Sequence, residues 1–384
     1  MFAIELYETT GFDSVQTKLF SPTISVRRWS ERINAPGSLY FTIPKDNAKA
    51  TITNLRQKRR VRLFRRSRET GVFLPAWLGF IQDIRDVGPN REVICDGMLA
   101  ALDTRRTAEN EQFNGQGGTE VAGLLSDVNG AGATGISMGT TDVTTTRDVL
   151  MSGRATVADA LEKIAQAHDS AEYQVNMDAE LDFVQVLGTD KSGTIHVIYR
   201  EDGGRGKNLT EMQIAYLGKP MANKIYPKSS AAMASDVSDS SSISTYGLLE
   251  DEVTFNEAQD ATTLTAMATS RLSQTKQPIP DFRIIPETSR KVFDPVTGTR
   301  ALTGLQYEDI EIGDLIKATI ITPNESTQEV VKRVAEIVVD VDENGKERIS
   351  FTLSDAGVFV TAGYLNAVGD RELRQQIHTL EAAL

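Results

Sequence analysis

The chain has 384 residues, 40% apolar and 24% charged, which suits about two to four domains and excludes collagen-like and wholly disordered classes. Its 53 acidic against 41 basic side chains give a net charge of -12, which opposes general attraction to DNA or to an anionic membrane surface. A single cysteine, Cys95, excludes an internal disulfide and a multi-thiolate metal site, and the three histidines, His168, His196 and His378, lie far apart.

Residues 1–103 read as a run of strands. FAIELYE and SLYFTIP alternate apolar and polar residues, and VRLFRR, AWLGFIQDIRDV and REVICDGMLAAL follow. Turn signals at Ala35-Pro36-Gly37, Glu69-Thr70-Gly71 and Gly88-Pro89-Asn90 separate them, a spacing that predicts a small barrel or sandwich. From about 104 to 203 the pattern becomes α+β. Thr119 is placed to cap a helix carrying Val121, Leu124, Leu125 and Val128. Thr156 and Asp159 form a capping pair ahead of the apolar stripe Val157, Ala160, Leu161, Ile164 and Ala165, which ends near His168. AEYQVNMD and LDFVQVL then predict a hairpin turning at Ala179 and Glu180, and the glycine-rich EDGGRGKN closes the region at 201–208.

Ser229 to Tyr246 is small and polar and predicts a mobile loop. Asp260 can cap a helix carrying Leu264, Met267, Ala268 and Leu272, stopped by Pro278 and Pro280. Strands resume with FRIIPET, DLIKATIIT, VVKRVAEIVVDV and RISFTLSD, the last two joined through Asn344-Gly345, a strong hairpin signal. Leu373, Ile377, Leu380 and Leu384 fall at heptad spacing in a final amphipathic segment. No run approaches the roughly 18 apolar residues of a membrane helix. The opening residues lack the regions of a signal peptide, so a soluble, non-exported polypeptide is expected.

Four motifs invite chemistry. Arg56 to Arg68 holds eight basic residues and no acid, which raises nucleic-acid or phosphate binding; only Phe64 interleaves as a stacking platform. The alternative is a strand with Val61 and Leu63 inward and Arg60 and Arg62 outward, meeting an acidic partner or a neighbouring subunit. Asp340, Asp342, Asn344 and Gly345 imitate the start of a calcium loop, but Phe351 stands where that loop needs a bidentate Glu, so a hairpin is expected. Gly115, Gly117 and Gly118 precede a helix without the Lys and hydroxyl of a phosphate loop. Glu250 with Glu252 and Asp309 with Glu311 are the acidic pairs a glycosidase would need, yet no hydrolase or zinc motif accompanies them. Cys95 in EVICD reads as a small buried apolar residue.

Four stretches in order resemble the tail hub (baseplate hub) proteins of long-tailed bacteriophages. They are GSLYFTIPKD leading into QKRRVRLFRRS; AWLGFIQDIRDV, with Trp77, Gly79, Phe80 and Ile81, and its return strand EVICDGMLAAL; the helix 260–275 followed by proline and a strand; and EDIEIGDLIKATI, with Gly313-Asp314, before the Asn344-Gly345 hairpin. The resemblance implies an α+β, mainly β chain with two tail-tube-like β-barrel domains, the first at 1–103 and the second split between 204–228 and 303–355. Two peripheral domains would be inserted at 104–203 and 229–302, with a C-terminal helical segment at 356–384. It further implies a structural virion protein without catalytic, cofactor or metal residues. Three chains would close the tail tube at the tail tip as a homotrimer, after assembly in the host cytoplasm. Its partners would be a distal tail ring protein, the tape-measure end in the lumen, and a fibre or spike below, with no membrane insertion and no sequence-specific nucleic-acid binding. Leu373, Ile377, Leu380 and Leu384, with Arg60 and Arg62, are the candidate subunit or partner contacts. A hexameric distal ring protein, the hub of a contractile injection system and a cell-wall hydrolase remain as alternatives.

Overall fold

A computed structural model describes residues 1–9, 11–12, 14–21, 23–67, 70–201, 207–217, 221–286, 307–321 and 327–355. The chain is α+β and mainly β. Seven strands come first: β1 (Phe2–Tyr7), β2 (Val15–Phe20), β3 (Ser25–Arg32), β4 (Ser38–Pro44), β5 (Arg60–Arg66), β6 (Phe73–Val87) and β7 (Asn90–Gly97). Alternation makes β4 a strand: Leu39, Phe41 and Ile43 are fully buried, and Tyr40 and Thr42 lie between them. An insert follows, with β8 (Gln112–Gln116), α1 (Gly117–Gly130), β9 (Ser137–Thr141), β10 (Thr146–Leu150), α2 (Val157–Ala167), β11 (Glu172–Val175) and β12 (Glu180–Val184). Next come β13 (His196–Arg200) and β14 (Leu209–Leu217). A second insert carries β15 (Lys224–Lys228), β16 (Val237–Ser238), α3 (Ser240–Tyr246), β17 (Glu250–Thr254) and α4 (Ala261–Thr275). The described chain ends with β18 (Ile279–Pro286), β19 (Leu315–Ile321), β20 (Gln328–Val341) and β21 (Glu347–Asp355).

Thirteen strands form one sheet whose main path runs β14-β18-β21-β20-β3-β4-β7-β6-β5-β1-β2, with β19 on β20 and β13 on β19. The two expected tail-tube-like β-barrel regions are joined in one continuous strand path, and no strand ladder closes either barrel among the described residues. The link is β3, which pairs with β4 of its own repeat and also with β20, from Arg28↔Asp340 to Arg32↔Glu336. One apolar core accordingly spans both β regions, around Trp29, Phe41, Trp77, Phe282 and Phe351.

The inserts share a second core with Leu78 and Phe80 of β6. Main-chain bonds fuse them, Leu150 N–H to the Glu257 carbonyl (2.8 Å) and Gln259 N–H to the Asp148 carbonyl (3.1 Å). Residues 196–200, placed by the sequence in the 104–203 insert, pair with β19. The strand β18, within the expected 229–302 domain, pairs with β14 and β21. Two of the three caps expected from the sequence form, Thr156 accepting from Asp159 N–H (2.9 Å) and Asp260 from Thr263 N–H (2.7 Å), whereas Thr119 lies inside its helix and caps nothing. Helix α1 begins at Gly117, ahead of Thr119. A Cβ at Gly117 would stand 2.7 Å from Val143 and 2.9 Å from His168, and one at Gly118 would stand 2.4 Å from Thr141, so close packing explains these glycines. The Ser-rich segment is not loop throughout, because Asp239 accepts from Ser242 N–H (2.9 Å) and starts α3.

Candidate functional site at the junction of two repeats

The β regions are two copies of one strand order. The first runs β1-β5-β6-β7-β4-β3 and the second β13-β19-β20-β21-β18-β14. Corresponding neighbours are antiparallel except at the outer end, where β1 is antiparallel to β5 but β13 is parallel to β19. The match reaches single hydrogen bonds. Ile81 N–H donates to the Arg59 carbonyl (2.9 Å) and its carbonyl accepts from Lys58 N–H (2.7 Å). Val334 N–H donates to the Asp314 carbonyl (2.9 Å) and its carbonyl accepts from Gly313 N–H (2.9 Å). Immediately afterwards each long strand bulges, between Ile81 and Asp83 in β6 and between Val334 and Glu336 in β20. Ile81 therefore corresponds to Val334, and Asp83–Val87 to Glu336–Asp340.

Where the copies meet, the β3–β20 ladder is reinforced by Arg32, whose Nε lies 2.7 Å from Glu336 Oε1, and by Ile33 N–H on the Ala335 carbonyl (3.1 Å). Beside it lies a cavity of about 540 Å3, walled by β3, β6, the β11–β12 hairpin and residues 307–312. Arg65 crosses the junction, 3% exposed, with Nε 2.9 Å and Nη2 2.6 Å from Glu347 Oε2 and a further bond to Glu308. Its guanidinium also stacks 5.5 Å from the Tyr307 ring centroid. The Tyr307 hydroxyl donates toward Glu31 (3.1 Å) and the Ala76 carbonyl (2.9 Å). Glu31 opens partly onto the cavity, but its carboxyl is enclosed by protein. That desolvation pushes its pKa up to about 7, against the Tyr307 hydrogen bond and with help from Glu311.

The arginine-rich strand is engaged within the chain. Arg60 is 5% exposed and donates to the Thr134 carbonyl of the insert, and burial lowers its pKa to about 10. Arg62 donates to the Met177 carbonyl (2.9 Å) and lies 5.3 Å from the Phe12 ring centroid. The two residues thus share one task, holding the insert against β5, while Leu373, Ile377, Leu380 and Leu384 lie outside the described residues. On the second repeat, Arg333 and Glu172, 3% and 4% exposed, form a buried ion pair, and Arg333 also donates to the Gly313 and Leu187 carbonyls (3.2 Å each).

The other motifs resolve into structural parts. Asp342 Oδ1 accepts from Asn344 N–H (2.9 Å) and Lys346 N–H (2.8 Å), and Gly345 sits at φ 75°, so this is the β20–β21 hairpin. Glu250 and Glu252 lie on β17, with Glu252 paired to Lys228 at 2.7 Å. Cys95 is fully buried and its thiol pKa is raised by burial. His168 bonds Glu120 (2.8 Å) and Thr145 (2.9 Å), a triad-like chain, but His168 is 0% exposed and ties α1, the 142–145 loop and the end of α2 together. Among the described residues no group of three or more His, Cys, Asp or Glu side chains could hold a metal ion, and no helix is long and apolar enough to cross a membrane.

Sequence reasoning missed β3, the strand that builds the junction. Ile24, Val26 and Trp29 are buried, but the bulge between Val26 and Arg28 breaks the two-residue period by which a strand is read. Trp29 beside the arginines was the available signal.

No protein-family model matches the chain, and no curated protein matches it by sequence. Among solved structures it is similar to a tail protein from Neisseria meningitidis, with TM-score 0.60, 11% identity and coverage of 93% of this chain and 96% of that one. A 43 kDa tail protein of prophage MuSo2 from Shewanella oneidensis matches with TM-score 0.58, 13% identity and coverage of 92% and 98%. A prophage tail protein from Listeria monocytogenes matches with TM-score 0.57, 9% identity and coverage of 93% and 94%. At these identities the shared property is the fold, over nearly the full length of each chain.

Proposed function

We propose that this chain is a structural component of a phage-type tail, specifically the trimeric hub that closes the tail tube at its tip. The duplicated strand order carries the reading. Two similar repeats in one chain let three chains present six quasi-equivalent surfaces to a six-fold tube while keeping a three-fold tip. The fold shared with prophage tail proteins supports it, as do buried side chains spent on internal fastening. The distal tail ring protein would sit above the ring, the tape-measure end within it, and a fibre or spike below, docked on residues 370–384. Its work would be mechanical: surrounding the tube end and opening a path for DNA past a chain of net charge -12, which disfavours sticking. It would not be an enzyme.

Light scattering of the purified chain tests this. A concentration-independent mass near 126 kDa, three times 42.0 kDa, is expected. A clean hexamer would replace the hub by a distal ring protein. Deleting residues 370–384 should abolish attachment of the distal fibre or spike and leave trimers intact; unaffected attachment would remove that docking role.

A further inference from the structure

The two repeats differ most where they should be alike. Lys332 and Arg333 of β20 pair with both β19 and β21, and Glu336–Asp340 pair with both β21 and β3. So β3 continues the edge that β19 begins. In the first repeat Gly79 and Phe80 pair with both β5 and β7, but beyond Ile81 that edge of β6 has no strand among the described residues. The exposures follow. Glu336 and Val338 are 8% and 4% exposed under β3, whereas their counterparts Asp83 and Arg85 are exposed and Val87 is 51% exposed. The complementary vacancy is at β14, the counterpart of β3, which ends the strand path and pairs only with β18 along 211–217 among the described residues. Among the described residues the chain thus carries one half of the β3–β20 joint at β6 and the other half at β14.

We propose that a second copy of this chain lays its β14 antiparallel along Asp83–Val87 of β6, repeating between chains the β3–β20 joint made within each chain. The register follows from pairings already described. Leu39 faces Trp29 on one side and Cys95 on the other, while Phe282 faces Ile214 and Leu353, and Cys95 and Leu353 face the matched Ile81 and Val334. Ile214 therefore stands in register where Trp29 does, and Ala215 where Ser30 does. Since Trp29 pairs with Val339 and Ser30 with Val338, Ile214 pairs with Asp86 and Ala215 with Arg85 of the neighbouring copy. An open edge of this kind is a ready template for strand addition. Two complementary edges on one chain make a head-to-tail contact, which closes into a ring when the rotation permits. This inference rests on the trimeric reading and specifies its interface.

Disulfide trapping on the full chain tests the register. Ile33 N–H bonds to the Ala335 carbonyl, so bonded pairs recur at alternate residues and Ser30–Val338 falls between them. Arg85 and Ala215 then form a non-hydrogen-bonded pair with Cα atoms about 4.5 Å apart, within the roughly 4.4–6.8 Å a disulfide spans. Oxidised Arg85→Cys/Ala215→Cys protein should run as a covalent trimer on a denaturing gel and collapse to monomer on reduction. Arg85→Cys/Ile214→Cys, one residue out of register, should stay monomeric on the same gel. Buried Cys95 does not compete. A trimer in light scattering that resists trapping by the first pair, or is trapped equally by the second, overturns this register and leaves the trimeric reading standing. A monomer at every concentration with no trapping overturns both.

Discussion

The repeats share a backbone but fasten the insert by opposite chemistries at corresponding positions. In the first, Phe80 faces Arg60 across the ladder; in the second, Arg333 faces Leu315. Phe80, 1% exposed, enters the core shared by the inserts, with Lys58 Nζ 4.4 Å from its ring centroid. Arg333 meets Glu172 and two main-chain carbonyls. The difference shows what each surrounding demands: in the apolar core shared by the inserts a ring suffices, but where the 187 and 313 turns converge their carbonyls need donors, which a guanidinium supplies in a fixed fork.

Breaking the polar fastener should have the largest effect. Glu172→Ala leaves Arg333 buried without its carboxylate and should lower unfolding free energy by about 3–5 kcal/mol, read from urea midpoints. Arg333→Met with Glu172→Leu should recover only part of that loss, because the apolar pair removes the uncompensated charge but leaves the Gly313 and Leu187 carbonyls and the Leu187 N–H without their side-chain partners. If Glu172→Ala were neutral, the two fasteners would not be equivalent in weight.

Glu31 sharpens the comparison at the joint itself. Its pKa of about 7 in the folded chain lies above the usual carboxylate value, so the unfolded chain gives up this proton first as pH rises. Stability should therefore fall between about pH 4.5 and pH 7 through this group, and the deficit should be constant above that. Glu31→Gln keeps an acceptor for the Tyr307 hydroxyl. It should match the natural chain below pH 4.5 and exceed it at pH 8 by at most about 3 kcal/mol. Equal pH profiles for the two chains would place Glu31 in an ordinary solvated site.

How much of this could be read from the chain depends on local period. The strands β4, β5 and β21 announce themselves by alternation, and Thr156, Asp260 and Asn344-Gly345 by cap and turn chemistry that acts within four residues. The joint is different, because Arg32 and Glu336 are 304 residues apart and nothing local marks them as neighbours. Arg60 and Arg65 were hidden for a related reason: a buried guanidinium looks like a solvated one until its carbonyl or carboxylate partner, far along the chain, is placed.

The smallest effect concerns how each repeat finishes its outer end. In the first repeat β2 pairs with β1 from Ala3↔Phe20 to Tyr7↔Val15. In the second, β13 is met by Asn208 just before β14: Ile198 N–H donates to Asn208 Oδ1 (2.6 Å), Nδ2 donates to the His196 carbonyl (2.8 Å), and Asn208 N–H donates to the Ile198 carbonyl (3.2 Å). One amide side chain does there what a strand does in the first repeat. Asn208→Ala removes the two side-chain bonds and leaves the Ile198 N–H, on a residue 5% exposed, without its acceptor. The expected cost is about 1–3 kcal/mol. Faster hydrogen exchange should be confined to the His196–Arg200 strand, with β1 and β2 unchanged. Exchange that rose equally in both repeats would show that their outer ends open as one unit.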